Sequence, residues 1–233
     1  MTGTLYLLPN LLCDEASIAS SLPPNIHEII QKLDGVISES EKPARRFLGH
    51  FKRASLPQKL LNEHTDLKEL PELLQPLLEG KNLGLLSDAG LPCIADPGAE
   101  LVRLARQKNI PIQAIVGPSS IFLALMLSGL GGQRFSFHGY LPRDAAPRQE
   151  AIRRLERNSR KEASTELFME APYRNQELLK ALIETLEPTT ELALCTDLTA
   201  PTESVIVKSI AEFRKDGLPE INKRPTVFVL RSK

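Results

Sequence analysis

Hydrophobic and polar positions in the first half of the chain follow a strand period and a helix period in turn. The apolar run at 3–8 predicts a strand, and apolar residues recur at helical spacing within 24–33. Further strands are predicted at 36–38, 83–86 and 112–116, and further helices at 43–51, 67–78, 99–108 and 121–127. Pro43 suits the first position of its helix, and Pro71 and Pro76 are expected to kink theirs. This alternation predicts an α/β fold.

The second half of the chain has a different balance of elements. Strands are predicted at 135–139, 165–169, 191–195, 204–207 and 226–230, and helices at 147–156, 175–186 and 210–215. Because strands outnumber helices here, a mixed sheet is expected. Gly117 and Pro118 separate the halves, and Ser119 or Ser120 would cap the next helix. We therefore expect two α/β domains, 1–117 and 118–233.

Composition narrows the class of protein. The chain has 233 residues, and it lacks an apolar run long enough for a transmembrane helix. Its first Lys or Arg is Lys32, so a signal peptide at the N-terminus is not expected. Cys13, Cys93 and Cys195 are too far apart for a zinc pattern and suggest no disulfide framework. A cytoplasmic protein without a metal site and without membrane attachment is therefore expected.

The net charge of zero permits local basic surfaces but no general positive charge. The 29 basic residues equal the 29 acidic ones, which argues against a general polyanion binder. Two basic runs stand out: Lys42, Arg45, Arg46, Lys52 and Arg53, spaced to share one helical face, and 143–161, with Arg143, Arg148, Arg153, Arg154, Arg157, Arg160 and Lys161. Each is equally well interpreted as a solvated helix surface or as an RNA contact.

The segment 87–98, the 87–98 loop below, carries the strongest chemical pattern. It follows a predicted buried strand and precedes a predicted helix, the arrangement by which α/β sheets form ligand crevices. Gly90 and Gly98 allow the backbone to approach a ligand, and the loop also holds Asp88 and Asp96. The simpler alternative is a strand-to-helix turn in which Asp96 lies near an N-cap.

Several motifs in order resemble the tetrapyrrole (corrin/porphyrin) methylase superfamily. The match is strongest to its branch of 16S ribosomal RNA cytidine 2′-O-methyltransferases, whose Ser-Asp-Ala-Gly-x-Pro loop corresponds to residues from Ser87 onward. The other matching segments are 3–9, 61–64, 117–120, 133–142, 170–174, 197–203 and 224–229. The resemblance therefore covers nearly the whole chain.

The chain departs from the branch pattern at four places. Tyr173 stands where the family has His in its Glu-x-x-His-Arg motif. The segment 9–15, the first loop below, differs from the usual Pro-x-Pro-Ile-Gly-Asn-Leu, and 39–42 replaces Glu-Asp-Thr-Arg. The branch also continues into a C-terminal helical extension beyond the last strand seen here. The changes at 9–15 and 39–42 lie where the family handles its acceptor, so they bear on the substrate more than on the cofactor.

The resemblance implies S-adenosylmethionine (SAM) as cofactor, held in a cleft between two α/β lobes, and a homodimer. Residues from both halves of the chain would contact SAM. They are Pro9, Asp88, Ala89, Gly90, Leu91, Ile94, Ser119, Ser120, Met169, Glu170, Ala171, Pro225 and Thr226. Methyl transfer from a sulfonium needs alignment and exclusion of water, and it needs no metal.

A hydroxyl acceptor would also benefit from a base, for which four side chains are candidates. They are Asp88, Asp96, Glu39 and His64. Each has a structural alternative: a helix cap for Asp96, an orienter of loop amides for Asp88, and a solvated position for Glu39 and His64. Arg174 would hold a phosphate or carboxylate, or serve as a salt-bridge partner.

The leading functional prediction is ribose 2′-O-methylation of ribosomal RNA, with the small ribosomal subunit as partner. A methyltransferase acting on a small molecule of tetrapyrrole type is the first alternative, motivated by the altered first loop. The second is a protein that binds SAM without catalysis, motivated by the changes at 40–42.

Overall fold

A computed structural model describes residues 2–233, which form two compact units. One unit ends at Ser119 and the other begins at Ser120, close to the division predicted near Gly117. Each unit is built around its own five-stranded sheet, so the predicted α/β class is confirmed. Within the part of the chain described, no helix is both long and apolar enough to cross a membrane.

The N-terminal unit alternates strands and helices. Its elements are β1 (Leu5–Leu8), α1 (Ile18–Ser21), α2 (Ile26–Gln31), β2 (Gly35–Ser38), α3 (Glu41–Gly49), β3 (Gln58–Leu60), α4 (Leu70–Leu78), β4 (Leu83–Leu86), α5 (Ala99–Gln107) and β5 (Ile112–Ala114). A short 3₁₀ helix, Leu67–Glu69, precedes α4.

All neighbouring strands of this sheet are parallel, in the order β3-β2-β4-β1-β5. In the register of the central strands, Leu86 pairs with both Leu8 and Ser38. The carboxyl ends of β1, β2 and β4 therefore lie side by side at one edge. The first loop, the segment after Ser38 and the 87–98 loop must begin together there.

Helices cover both faces of this sheet, because its strands are apolar on both sides. Successive strand residues face opposite ways, so Val36 belongs to one core and Ile37 to the other. Apolar residues of α2 and α3 fill the first core, including Ile30 and Leu48, which are fully buried. Those of α4 and α5 fill the second core.

Helix α3 differs from its prediction at both ends. It begins at Glu41, so Pro43 lies inside the first turn and not at the first position. It ends at Gly49, and Lys52 adopts a left-handed φ of 59°. The prediction that Lys52 and Arg53 share one helical face with the basic residues of α3 is therefore wrong, because the chain has left the helix before it reaches them.

Two further differences have local causes. The segment predicted as one helix over 67–78 opens with a 3₁₀ turn, capped by Asp66, and Pro76 is accommodated inside α4. Strand β3 was not predicted, because its sequence Gln-Lys-Leu is short and largely polar. It forms by parallel pairing with β2.

The C-terminal unit contains the mixed sheet that was predicted. Its elements are α6 (Ser120–Ser128), β6 (Phe135–Tyr140), α7 (Ala145–Glu162), β7 (Thr165–Met169), α8 (Asn175–Thr185), β8 (Glu191–Thr196), β9 (Ser204–Ser209), α9 (Ile210–Asp216) and β10 (Thr226–Arg231). The order is β6-β7-β10-β8-β9, with β6 and β7 parallel and the other neighbours antiparallel. Helix α7 continues beyond its predicted end at 156. The residues after 156 are polar but stay helical as far as Glu162, and the left-handed backbone conformation of Ala163 ends the helix.

A stacked aromatic pair lies in the core of this unit. Phe168 on β7 and Phe228 on β10 are fully buried, with ring centroids 5.5 Å apart and an interplanar angle of 2°. Their Cα atoms are direct partners in the antiparallel register, which brings the rings face to face. This pair joins β7 to β10 in the core, and the segments at the ends of these strands carry candidate site residues.

Candidate functional site

Asn10 joins the first loop to the 87–98 loop. Its Nδ2 donates to the carbonyl oxygens of Ser87 at 3.0 Å and Asp88 at 2.9 Å, and its own backbone N–H donates to the carbonyl of Gly90 at 2.7 Å. Asn10 and Ser87 are both buried, so the amide gives the Ser87 carbonyl a hydrogen-bond partner away from solvent. Sequence reasoning placed Asn10 in an altered loop and missed this role; a polar residue two positions after a buried strand was its only signal.

The 87–98 loop holds an unusual backbone. Gly90 and Gly98 have φ of +69° and +127°, and the non-glycine residues Cys93 and Ala95 also have positive φ. Such strain persists only where the surroundings fix the conformation, and it is common at ligand sites. Gly98 is the N-cap of α5, with no side-chain cap bond, so the alternative that Asp96 caps this helix is contradicted.

Glu39, Asp88 and Asp96 form a cluster of interacting carboxylates, the carboxylate cluster below. Ser40 Oγ donates to Asp88 Oδ2 at 2.8 Å, and the backbone N of Asp88 lies 3.4 Å from Glu39 Oε2. The strand register explains this proximity, because Glu39 follows β2 and Asp88 follows β4. Three of the four candidate bases thus lie at one edge of the sheet.

Burial and neighbouring charges change the acidity of Glu39 and Asp96. Burial raises the pKa of Asp96 to about 7, the charges of Glu39 and Asp88 add to the rise, and a hydrogen bond from Ser87 opposes it. Burial also raises the pKa of Glu39, the backbone N–H of Asp88 opposes that shift, and the charges of Asp88 and Glu63 reinforce it. A carboxyl group with a pKa near neutrality can exchange a proton under physiological conditions.

His64 lies apart from this cluster. Its side chain is 85% exposed, and its Nε2 is 3.6 Å from Glu63 Oε1. Among the described residues no hydrogen bond or ion pair connects it to Glu39, Asp88 or Asp96. The geometry therefore favours the solvated alternative for His64.

The N-terminal residues expected to contact SAM lie along the same edge. Pro9 packs so closely on Gly117 that a Cβ at Gly117 would lie 2.0 Å from the Pro9 Cβ. Gly90 is buried, Leu91 is half-buried, and Ala89 and Ile94 are exposed. Ser119 is buried at the end of the unit. Exposed residues beside a buried glycine suit a ligand that forms hydrogen bonds with backbone groups. SAM would do so through its amino, carboxylate and hydroxyl groups.

The C-terminal residues expected to contact SAM lie where β7 ends and β10 begins. Met169 pairs with Val227, the residue after Thr226, so the segments 169–171 and 225–226 are neighbours. Glu170 is buried and accepts a hydrogen bond from the backbone N of Ala171 at 2.7 Å. Its other oxygen, Oε2, is buried without a partner, as is Asn175 Oδ1. Unpaired acceptors are compatible with the donors of an adenosine group.

Arg174 forms an ion pair with Glu170, and the Arg174 side chain is mostly buried. This contact raises the pKa of the guanidinium further and favours the structural interpretation of Arg174 over a free anion-binding group. Ser120, the remaining candidate, begins α6.

The basic run 143–161 is smaller at the surface than its sequence indicates. Arg148 is buried and pairs with Glu177 at 2.6 Å, and Arg160 donates to the backbone carbonyl of Lys233 at 3.1 Å. Arg157 pairs with Glu150 at 2.8 Å, beside exposed Arg153 and Arg154. Only part of the run is therefore available to a polyanion.

Within residues 2–233 there is no group of three or more His, Cys, Asp or Glu side chains placed to hold a metal ion.

Known proteins resemble this chain in sequence and in fold. The family model described as Tetrapyrrole (Corrin/Porphyrin) Methylases matches residues 19–214. Several relatives bear the name Ribosomal RNA small subunit methyltransferase I. The protein of Xylella fastidiosa is 31% identical over 228 residues, covering 98% of this chain and 80% of its own length. That of Escherichia coli O157:H7 is 29% identical over 230 residues, covering 98% and 77%.

Solved structures share the fold. A diphthine synthase superposes with a TM-score of 0.71 at 17% identity, covering 99% of this chain and 90% of that one. A uroporphyrin-III C-methyl transferase from Thermus thermophilus, complexed with S-adenyl homocysteine, gives a TM-score of 0.60 at 15% identity, covering 98% and 97%. At these identities the likeness concerns the fold alone.

Proposed function

Because this chain belongs to the tetrapyrrole (corrin/porphyrin) methylase family, we propose that it is a SAM-dependent methyltransferase that acts on ribosomal RNA. The observation that carries the RNA substrate is a relative named as a ribosomal RNA small subunit methyltransferase that matches 98% of the chain. The resemblance found in the sequence assigns ribose 2′-O as the acceptor atom. The small ribosomal subunit is the proposed partner.

SAM supplies a methyl group that its sulfonium charge already activates for direct displacement. The protein must align the acceptor hydroxyl, exclude water and receive the proton that the hydroxyl loses. Asp96 suits the last role, since a pKa of about 7 makes it both a competent base and a competent acid near neutrality. Burial and the charges of Glu39 and Asp88 keep the pKa of Asp96 raised. His64 remains a candidate base without supporting geometry.

Each unit contributes its own part of the proposed cofactor contacts. In the N-terminal unit these are Pro9, Asp88, Ala89, Gly90, Leu91, Ile94 and Ser119, at the carboxyl edge of the parallel sheet. In the C-terminal unit they are Ser120, Met169, Glu170, Ala171, Pro225 and Thr226. Strained loop backbone in the first and unpaired buried acceptors in the second support the assignment.

We include a homodimer and a cytoplasmic location in the proposal. Helix α6 is apolar on all sides, although only one of its faces is buried. Phe122, Met126 and Leu127 on the other face are 46%, 75% and 45% exposed, and Phe122 packs edge-on against exposed Phe135 of β6. An uncharged apolar surface of this kind suits association with a second copy.

The proposal is tested by incubating the protein with methyl-labelled SAM and small ribosomal subunits that lack the native modification. Label is expected in the ribosomal RNA, at a ribose 2′-oxygen after nuclease digestion. Label in a porphyrinoid but not in RNA would establish the small-molecule alternative. Saturable SAM binding without turnover on either acceptor would establish a binding protein that lacks catalysis.

A further inference from the structure

A pocket of about 280 Å³ opens in the N-terminal unit beside the carboxylate cluster. The first loop forms one wall, α3 forms the opposite wall, and Asp88 and Ala89 of the 87–98 loop also line it. All of these segments belong to one compact unit, and Asn10 fixes the two loops to each other. The pocket is therefore a formed feature next to the proposed site of methyl transfer.

Its walls combine polar and apolar groups. Arg46 Nη1 donates to Asp14 Oδ2 at 2.5 Å, and both side chains are about half exposed, at 51% and 58%. His50 adds an exposed imidazole, while the partly exposed Leu12 and Pro43 supply an apolar surface. The Arg46 guanidinium has further N–H groups beyond the one that Asp14 engages, so it can still donate to a ligand.

This chemistry restricts the ligand. A bare phosphate is disfavoured because Asp14 and Asp88 place two carboxylates in the same pocket. A tetrapyrrole is disfavoured by size, since about 280 Å³, at the low end of the range of roughly 300–1,000 Å³ usual for ligand pockets, is small for a macrocycle of four rings. A nucleoside fits both limits: its base has flat apolar faces and an edge with donors and acceptors, and its ribose has hydroxyl groups.

We propose that this pocket receives one unstacked nucleoside of the RNA acceptor. The Asp14–Arg46 pair binds the base edge, Leu12 and Pro43 contact the apolar face of the base, and the ribose faces Asp88 and the carboxylate cluster. Extrusion of a nucleotide from its stack is how proteins reach atoms that a folded nucleic acid covers. The inference rests on the proposed function and assigns Asp14 and Arg46 as specificity-determining residues.

The test compares Arg46→Ala with Arg103→Ala in the full-length protein. Arg103 is a matched control, because it is an exposed arginine in the same unit that pairs with Glu100 and does not line the pocket. Binding of unmodified small subunits is measured with S-adenosylhomocysteine present, and SAM affinity is measured by calorimetry. Arg46→Ala is expected to weaken subunit binding about ten-fold or more and to raise KM for subunits, with SAM affinity unchanged. Arg103→Ala should match the unmodified protein.

Salt dependence separates a base contact from a phosphate contact. Loss of a phosphate contact lowers the slope of log K against log salt by about 1, whereas loss of a base contact leaves it unchanged. An unchanged slope for Arg46→Ala is expected, and a reduced slope would overturn the base-edge assignment. Asp14→Asn, which keeps shape and removes charge, is expected to weaken binding in the same direction.

The two levels of the proposal fail in different ways. If the unmodified protein methylates the subunit and Arg46→Ala behaves like Arg103→Ala, the pocket assignment is wrong and the proposed function stands. If the unmodified protein binds SAM but neither binds nor methylates the subunit, the proposed function is wrong and the pocket assignment falls with it.

Discussion

The charge of Glu39 acts on Asp96 across the edge of the parallel sheet and is, after burial, the largest influence that raises the pKa of Asp96 to about 7. The two residues are far apart in sequence, and only the β2–β4 register brings their segments together. The acidity of the proposed base is therefore set by the fold.

Replacement of Asp96 by Asn should remove the proposed base. We expect kcat to fall about 100-fold or more, with SAM affinity unchanged, and the pH dependence of kcat near 7 to disappear. Glu39→Gln should instead lower the pKa of Asp96, because a neighbouring negative charge is lost, and so move the rising limb of the pH profile to lower pH. Glu100→Gln on α5 is the control. An unaltered profile in Asp96→Asn would contradict this role.

Gly90→Ala should impair SAM binding through the backbone. A Cβ at Gly90 would lie 3.2 Å from the Leu12 side chain, at a φ of +69°. Gly129→Ala provides a matched control, with a similar φ of +65° and no atom within 4 Å. Both variants should lose about 1–2 kcal/mol of unfolding free energy from the left-handed conformation. Only Gly90→Ala is expected to weaken SAM binding, as measured by calorimetry. Equal SAM affinities of the two variants would show that the 87–98 loop does not contact the cofactor.

Asn10→Ala should destabilise the N-terminal unit. The change leaves the carbonyls of Ser87 and Asp88 without their donor, which costs about 1–3 kcal/mol. Asn25→Ala removes an exposed side chain that makes no cap bond, and we expect a change within about 0.5 kcal/mol. Urea unfolding measures both. Equal stabilities would show that the two loops do not depend on this contact.

Acid should destabilise the C-terminal unit through Glu166. Burial alone would raise the pKa of this carboxyl, but hydrogen bonds from His138 and Ser164 hold the pKa below its ordinary value. A depressed folded-state pKa contributes stability above the unfolded-state pKa of about 4.3, and this contribution is lost as pH falls through the folded-state pKa. Glu166→Gln should therefore reduce the loss of unfolding free energy that occurs as the pH is lowered. Glu184 is exposed, so Glu184→Gln should leave that loss unchanged.

Met126→Asp should dissociate the proposed dimer. Met126 is 75% exposed in the second half of an uncharged helix, and a carboxylate there would be desolvated on association. Light scattering is expected to give a dimer mass for the unmodified protein and for Met126→Leu, and a monomer mass for Met126→Asp. A monomer in the unmodified protein would refute the dimer.

The sequence predicted the family, the methyltransferase class and most elements, because long periodic segments and ordered motifs are local properties. Strand β7 matches its predicted bounds, whereas β3 was missed because a short polar strand gains its stability from its neighbour. The role of Asn10 and the burial of Arg148 depend on partners distant in sequence, so no local pattern could indicate them. Prediction of the candidate site is limited for the same reason. The sequence indicates which residue types the site contains, but it does not show which of them lie close together.

The position of β1 in its sheet has a consequence for synthesis. Strand β1 lies between β4 and β5, so Leu5 pairs with Leu83 and Ile112. Strand β1 therefore leaves the ribosome about 80 residues before β4 and about a hundred residues before β5, and such non-local pairing slows folding. Until then Leu5 and Leu8, which end fully buried, are exposed on a nascent chain. The parallel order that aligns the carboxyl ends of β1, β2 and β4 thus leaves an apolar segment waiting for its partners during synthesis.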